Sequence, residues 1–276
     1  MSPAGRLYPV DHPLFDDWAM LLRAVGFATG QRAYECRQIL DGSLANASDM
    51  ERAYSAVTAY RLRVESTEDI LGWFFALRDW EPGTPTKSLV HLVNSIEVGR
   101  EQYTEQRAVD DLRGVDEGAF RQMIHLPSSD ELRGDGFDEG LVQSIERGVG
   151  AHLAGIRTVG QWRLESGRGR VRAFNKIKHF LPAQVFRVPP EDIVRVEVPM
   201  VALRADGFHI TTLWLETDEV SIRGTAGVAY ANQAALNALL GAILMTRFDH
   251  PYQPPDWLAD AERRGTWIND DGPRAP

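Results

Sequence analysis

A single cysteine, Cys36, stands in a chain of 276 residues. One thiol excludes an intramolecular disulfide, and with no companion it excludes a thiolate metal site. Long apolar runs are also missing. The longest candidate, 226–248, is interrupted by Asn232, Gln233 and Asn237, and no run reaches the ~20 residues of a membrane span. The opening Met-Ser-Pro-Ala-Gly-Arg leads into no apolar signal core, so the expected setting is a reducing cytoplasm with no membrane contact. The sequence contains neither Gly-x-Ser-x-Gly nor His-Glu-x-x-His, which removes the common nucleophile-elbow and zincin chemistries. His125 and His152 lack a histidine or carboxylate at i+4, and Glu97/Glu101 lacks a Glu-x-x-His partner. No metal and no cofactor is expected.

What remains is a chain with 43% hydrophobic and 25% charged residues, enough apolar matter for a substantial core. The spacing predicts helices through the first two-thirds. Asp11-His12-Pro13 opens a run from Leu14 to Leu40 that ends at Asp41-Gly42. Ser48, with Glu51 three residues on, predicts a capping box and a second helix. Thr67-Glu68-Asp69 predicts a third, ending at Glu81-Pro82-Gly83. A fourth is expected from Thr86 to about Asp111, with His91 on its apolar face. An acidic, turn-rich stretch follows over 110–139 with one short helix near Gly118–Leu126. The next helix is expected from Phe137 to about Leu164. Ser166-Gly-Arg-Gly169 then breaks the pattern, and a short helix carries residues 172–179 up to Pro182.

After Pro189-Pro190 the period changes to that of strands. Ile193–Leu203 and Phe208–Leu215 flank an Asp206-Gly207 hairpin signal, and Glu219–Arg223 is a candidate third strand. Ala226–Arg247 reads as a buried Ala/Leu-rich helix. The expected fold is mainly α: a helical bundle over 1–184, then a small antiparallel β-meander with a buried C-terminal helix over 185–248. A Pro-rich tail over 249–276 is expected to dock through Trp257.

Charge is the most informative pattern. From Arg157 to Lys178 there are seven Lys/Arg (157, 163, 168, 170, 172, 176, 178) against one acid, Glu165. That is a net +6 within a chain of formal net charge −9. A local positive field on an anionic body suits a polyanion, and Arg168, Arg170, Lys176 and Lys178 are the candidate phosphate contacts. His179 is the candidate proton-transfer group, since an imidazole titrates near cellular pH. Arg172, Asn175 and His179 follow one another at helical spacings of three and four, so they share a stripe. Arg172 would grip a phosphate through a bidentate fork while Asn175 fixes the imidazole or the phosphate. The bland alternative is a solvated polar stripe on an amphipathic helix. The nine acids of 110–139 are a third possible destination for the island's charge.

Arg172…His179, with Asn175-Lys-Ile-Lys-His179, resembles the motif of the HEPN superfamily. The resemblance implies a helical bundle, often dimeric, that cleaves RNA without a metal, commonly in toxin–antitoxin or antiphage systems. The ribose 2′-hydroxyl would attack its own phosphate, with Arg172 stabilising the charge and His179 moving the proton. Two other readings stay open: a non-catalytic helical module for a protein partner, and a small-molecule-binding regulator with a cavity between bundle and sheet. Gly148-Val-Gly150…Gly155 lies in a helical pattern and is read as close helix packing, not as a dinucleotide loop. Cys36 is expected to be a small core residue.

Overall fold

The computed structural model describes residues 10–98, 100–178, 184–188, 193–204 and 207–264; over 165–178, 184–188, 193–194, 199–204 and 207–211, and at 262, it describes the backbone alone. Helix α1 (Phe15–Arg23) runs through a π-turn (Ala24–Ala28) into α2 (Thr29–Asp41). Helix α3 (Asp49–Asp79) starts at the Ser48–Glu51 capping box, in which each side chain bonds the other's backbone N–H. Short helices α4 (Leu89–Ser95), α5 (Glu105–Asp111), α6 (Glu117–Met123) and α7 (Ser129–Gly134) lead to α8 (Glu139–Lys178). Strands β1 (Gln184–Val188), β2 (Ile193–Arg204) and β3 (Gly207–Glu216) form an antiparallel sheet in that order. Helices α9 (Glu219–Phe248) and α10 (Asp256–Arg263) close the chain. The fold is mainly α with a small antiparallel sheet and a buried late helix, as the pattern implied.

Several boundaries differ, each for a local reason. The run from Leu14 is not one α-helix, because the π-turn widens it at Ala24. The helices expected at Ser48 and Thr67 are one. Nothing between them is Gly or Pro, and the Ser66 and Thr67 hydroxyls donate back to the Arg63 carbonyl (3.0 and 2.7 Å) instead of capping. The helix expected over 86–111 is two. Ser88 and Thr104 each accept from the N–H three residues on, at His91 and Arg107, and each so starts its own short helix. His91 is exposed, since α4 buries Leu89 and Leu92 instead. Glu97 lies outside any helix and pairs on the surface with Arg100.

The break expected at Ser166–Gly169 does not occur. Glycine weakens a helix by about 1 kcal/mol without ending it, and no proline follows Glu139 until Pro182. Glu219–Arg223 is not a strand: Asp218 accepts from Ser221 N at 2.9 Å and caps α9 there. The third strand is β1, paired Gln184↔Glu197 through Val188↔Ile193.

Two apolar clusters make the core, and α9 contributes to both. One gathers Leu21, Phe74, Phe75, Trp80, Phe120, Val149, Leu153, Leu240 and Phe248. The other places Val196, Val198 and Leu215 of the sheet with Leu62, Tyr230 and Ala234. Asp17, 1% exposed, ties three elements together by accepting from Trp80 Nε1 (2.9 Å) and Leu89 N (2.5 Å). Helix α9 is long and apolar enough to cross a membrane, and 83% of its apolar window is buried inside the fold. The described part of the tail, 249–264, docks: Trp257 packs on Tyr230 with ring centroids 6.0 Å apart, and Leu258 and Ala261 are buried.

His152 of α8 is fully buried beside Phe120, and neither ring nitrogen has a hydrogen-bond partner. Burial pushes its pKa down to about 3, against about 6.5 for a free histidine. Below pH ~6.5 the unfolded chain therefore binds a proton that the folded chain refuses. Stability is full above that pH and falls as pH drops from 6.5 toward 3. His152→Leu should raise the denaturant midpoint at pH 7, because two unpaired polar atoms leave the core. It should also flatten the decline between pH 6.5 and 4 relative to the parent. An unchanged pH slope in paired urea titrations would count against this.

Candidate functional site

The basic segment divides once its cations are followed one by one. Arg157 donates through Nη2 to the carbonyls of Leu112 (3.0 Å) and Val115 (2.6 Å). Those carbonyls lie in the turn between α5 and α6, where the Leu112 carbonyl also accepts from the Val115 N–H (3.3 Å). Arg163, with its side chain 3% exposed, sits between Glu68 (3.2 Å) and Glu105 (2.6 Å). Its Nε–H is not aimed along the Glu105 direction, so that contact is ionic rather than a formed hydrogen bond. Helix α5 comes this close because Gly160 has no side chain: a Cβ there would stand 2.9 Å from Val109 Cγ2.

Two of the seven cations thus hold the fold together. One of them, Arg157, reaches the backbone of the acidic 110–139 stretch and not its carboxylates. Arg168, Arg170, Arg172, Asn175, Lys176 and Lys178 all fall on the continuous backbone of α8. Arg172 and Asn175 are one helical turn apart there. Their side chains, and His179 entirely, lie outside the described residues.

Beside this segment, α8 and α9 leave a groove of about 1200 Å³. Its walls are Leu141, Ile145, Val149 and Leu153 from α8 and Leu239, Ala242 and Met245 from α9, with Tyr252 and Leu258 at one side. Gly148 opens onto it, with nothing within 4 Å of the place a Cβ would take. Gly150 instead carries the Glu117 carboxylate, 2.7 Å from the equivalent point. The glycines of 148–155 are helical, as their pattern implied. Gly150 meets a carboxylate and Gly148 open space.

Charge of both signs lines the groove: Asp116, Glu117 and Glu146 with Arg147 and Arg157. Near Glu117 and Glu146 lies Arg121, 5% exposed, donating to the Pro127 carbonyl at 2.7 Å. Burial pulls its guanidinium below the usual range, while the charges of Glu146 and Glu117 oppose that. No sequence motif announced this groove; the only trace is the density of Gly and Ala between 148 and 155.

Among the described residues no group of His, Cys, Asp and Glu is placed to hold a metal. Cys36 is buried and burial pushes its thiol up to about 12, which leaves it protonated and unreactive at neutral pH. No protein-family model, no curated protein and no solved structure matches the chain, so the site is read from its own residues.

Arg163 offers a direct check on this partition. Arg163→Ala would leave Glu105, whose side chain is 17% exposed, without its cation. Removing one member of a buried pair typically costs about 3–5 kcal/mol. A loss of that order in chemical denaturation is expected. A loss under about 1 kcal/mol would mean that Arg163 is not a structural cation.

Proposed function

We propose that the chain is an RNA-binding helical protein of HEPN-like character, gripping phosphates at the C-terminal end of α8 and cleaving RNA without a metal. One observation carries the reading. With Arg157 and Arg163 engaged in the fold, five cations and no acid occupy residues 166–178, on uninterrupted helix backbone. Three helical turns of one sign of charge suit a phosphate backbone, whose negative charge dominates nucleic-acid affinity. Arg168, Arg170, Lys176 and Lys178 are the phosphate contacts in this reading.

The chemistry assigned to the remaining residues is transesterification. The ribose 2′-oxygen bonds to the adjacent phosphorus and the bond to the 5′-oxygen breaks, leaving a cyclic phosphate and a free 5′-hydroxyl. His179 takes the proton from the 2′-hydroxyl and returns it to the leaving 5′-oxygen. Arg172 balances the charge gathering on the phosphorane, where a preorganised guanidinium acts most strongly. Asn175 holds the imidazole or a phosphate oxygen. The internal engagement of Arg157 and Arg163 favours a second reading, a non-catalytic module whose remaining cations meet an acidic protein surface.

Short single-stranded RNA, titrated by filter binding at several salt concentrations, separates these readings. Lys178→Ala or Arg170→Ala is expected to weaken binding and to make the log–log salt slope shallower by about 0.7 per lost contact, with thermal stability unchanged. His179→Ala should abolish cleavage while binding persists, and chelator should leave the parent's cleavage intact. No RNA retention even at low salt would remove the RNA reading and leave the protein-partner one. Cleavage that survives His179→Ala would remove the assigned chemistry alone.

A further inference from the structure

Asn237 is fully buried in the middle of α9, and every polar atom of its amide is used. Its Nδ2 donates to the Val25 carbonyl (2.9 Å) and the Thr29 hydroxyl (2.7 Å), both in or beside the π-turn. Its Oδ1 accepts from the Tyr252 hydroxyl. Thr29 completes the arrangement by donating to the Ala24 and Val25 carbonyls at 3.1 and 3.3 Å. A π-turn widens the helix and leaves its carbonyls off the i+4 ladder; here the side chains of Thr29 and Asn237 bond two of them.

Tyr252 reaches Asn237 because the chain reverses at Asp249, whose left-handed backbone (φ 48°) sends residues 250–259 back along α9. The Tyr252 ring then lies flat on Gly241, one turn beyond Asn237: a Cβ there would come within 2.6 Å of the ring. The same returning segment, through Tyr252, Pro254, Leu258 and Ala259, forms one wall of the α8–α9 groove. A second, separate anchor holds its far end, where the Tyr230 hydroxyl donates to the Trp257 carbonyl at 2.8 Å.

We propose that residues 250–259 form a latch on the groove, and that Asn237 couples the latch to the π-turn on the other side of α9. With Tyr252 seated, the Asn237 amide is fully bonded and holds the Val25 carbonyl. When Tyr252 leaves, the groove loses a wall and the amide oxygen loses its donor inside an apolar core, where an unpaired acceptor is costly. The amide then reorients and releases the π-turn, which carries Phe27, 71% exposed. Opening of the groove is thereby reported at a distant surface. This proposal is independent of the RNA reading.

Amide hydrogen exchange of the full chain tests it with three variants. Tyr252→Phe removes the hydroxyl and keeps the ring. Gly241→Ala keeps the hydroxyl on the residue but pushes the ring off α9, and so carries that hydroxyl away from Asn237. Both are expected to speed exchange at least tenfold in residues 24–29 and in 250–259, with α3 unchanged. Tyr230→Phe loosens only the far anchor, and should speed exchange in 256–263 without touching 24–29. Faster exchange at 250–259 with residues 24–29 unchanged in both latch variants would overturn the coupling. Equal acceleration everywhere in all three variants would overturn it too, because it would reduce the contact to ordinary stability.

Discussion

Three amides in the middle of an apolar helix constrain this fold more than any other feature. Asn232, Gln233 and Asn237 are each 0% exposed on α9, and an amide buried without partners is destabilising by kilocalories. Their three nitrogens donate to two sides of α9. Asn232 donates to Ser66 and Gln233 to Asp69 on α3, while Asn237 donates to the π-turn and α2. Apolar burial alone would let α9 rotate or slide against its neighbours, since it is non-directional. The amides allow one register. Asp69 extends this order outward: it also pairs with Arg32, and burial still pushes its carboxyl above the usual range. From Arg32 the charges alternate through Glu65 and Arg61 to Glu35 along the seam of α2 and α3.

The same residues explain what was legible in the sequence. Asn232, Gln233 and Asn237 interrupt the one stretch apolar enough to suggest a membrane span, and burial of that stretch in the core was readable from its composition. Which elements they would bind was not readable, because the partners lie 164 to 212 residues away in the chain. Local chemistry was legible wherever it was self-contained. The Ser48–Glu51 box formed, since both partners lie within one turn. Thr67 carried a similar cap signal and became helix interior, because a hydroxyl bonds a carbonyl four residues back equally well. The hairpin was legible too, with Arg204↔Gly207 closing it.

The site was legible in charge and not in geometry. Seven cations in 22 residues stand out in any reading of this chain. Arg157 and Arg163 could not be told from the rest by sequence, because their partners, the Leu112 and Val115 carbonyls and Glu68 with Glu105, lie 42 to 95 residues earlier. The groove left even less trace. It exists where Gly148 faces space and Gly150 faces a carboxylate; helical spacing puts those two glycines on opposite faces, and nothing local says which face is left open.

The π-turn shows why a helix pattern can be right in type and still miss a feature. Residues 14–40 carry a helical stripe, and one extra residue at Ala24–Ala28 shifts everything downstream by about 100°. That shift lets Thr29 and Ala33 join the core while Phe27 and Tyr34 point outward. In an ordinary α-turn the Thr29 N–H would bond the Val25 carbonyl; here it bonds Ala24 instead, and the Val25 carbonyl accepts from the side chains of Thr29 and Asn237. The buried amide thus bonds a carbonyl that the widened turn takes off the ladder. Because Tyr252 bonds the oxygen of that amide, the returning C-terminal segment belongs to the same constraint as the π-turn that follows α1.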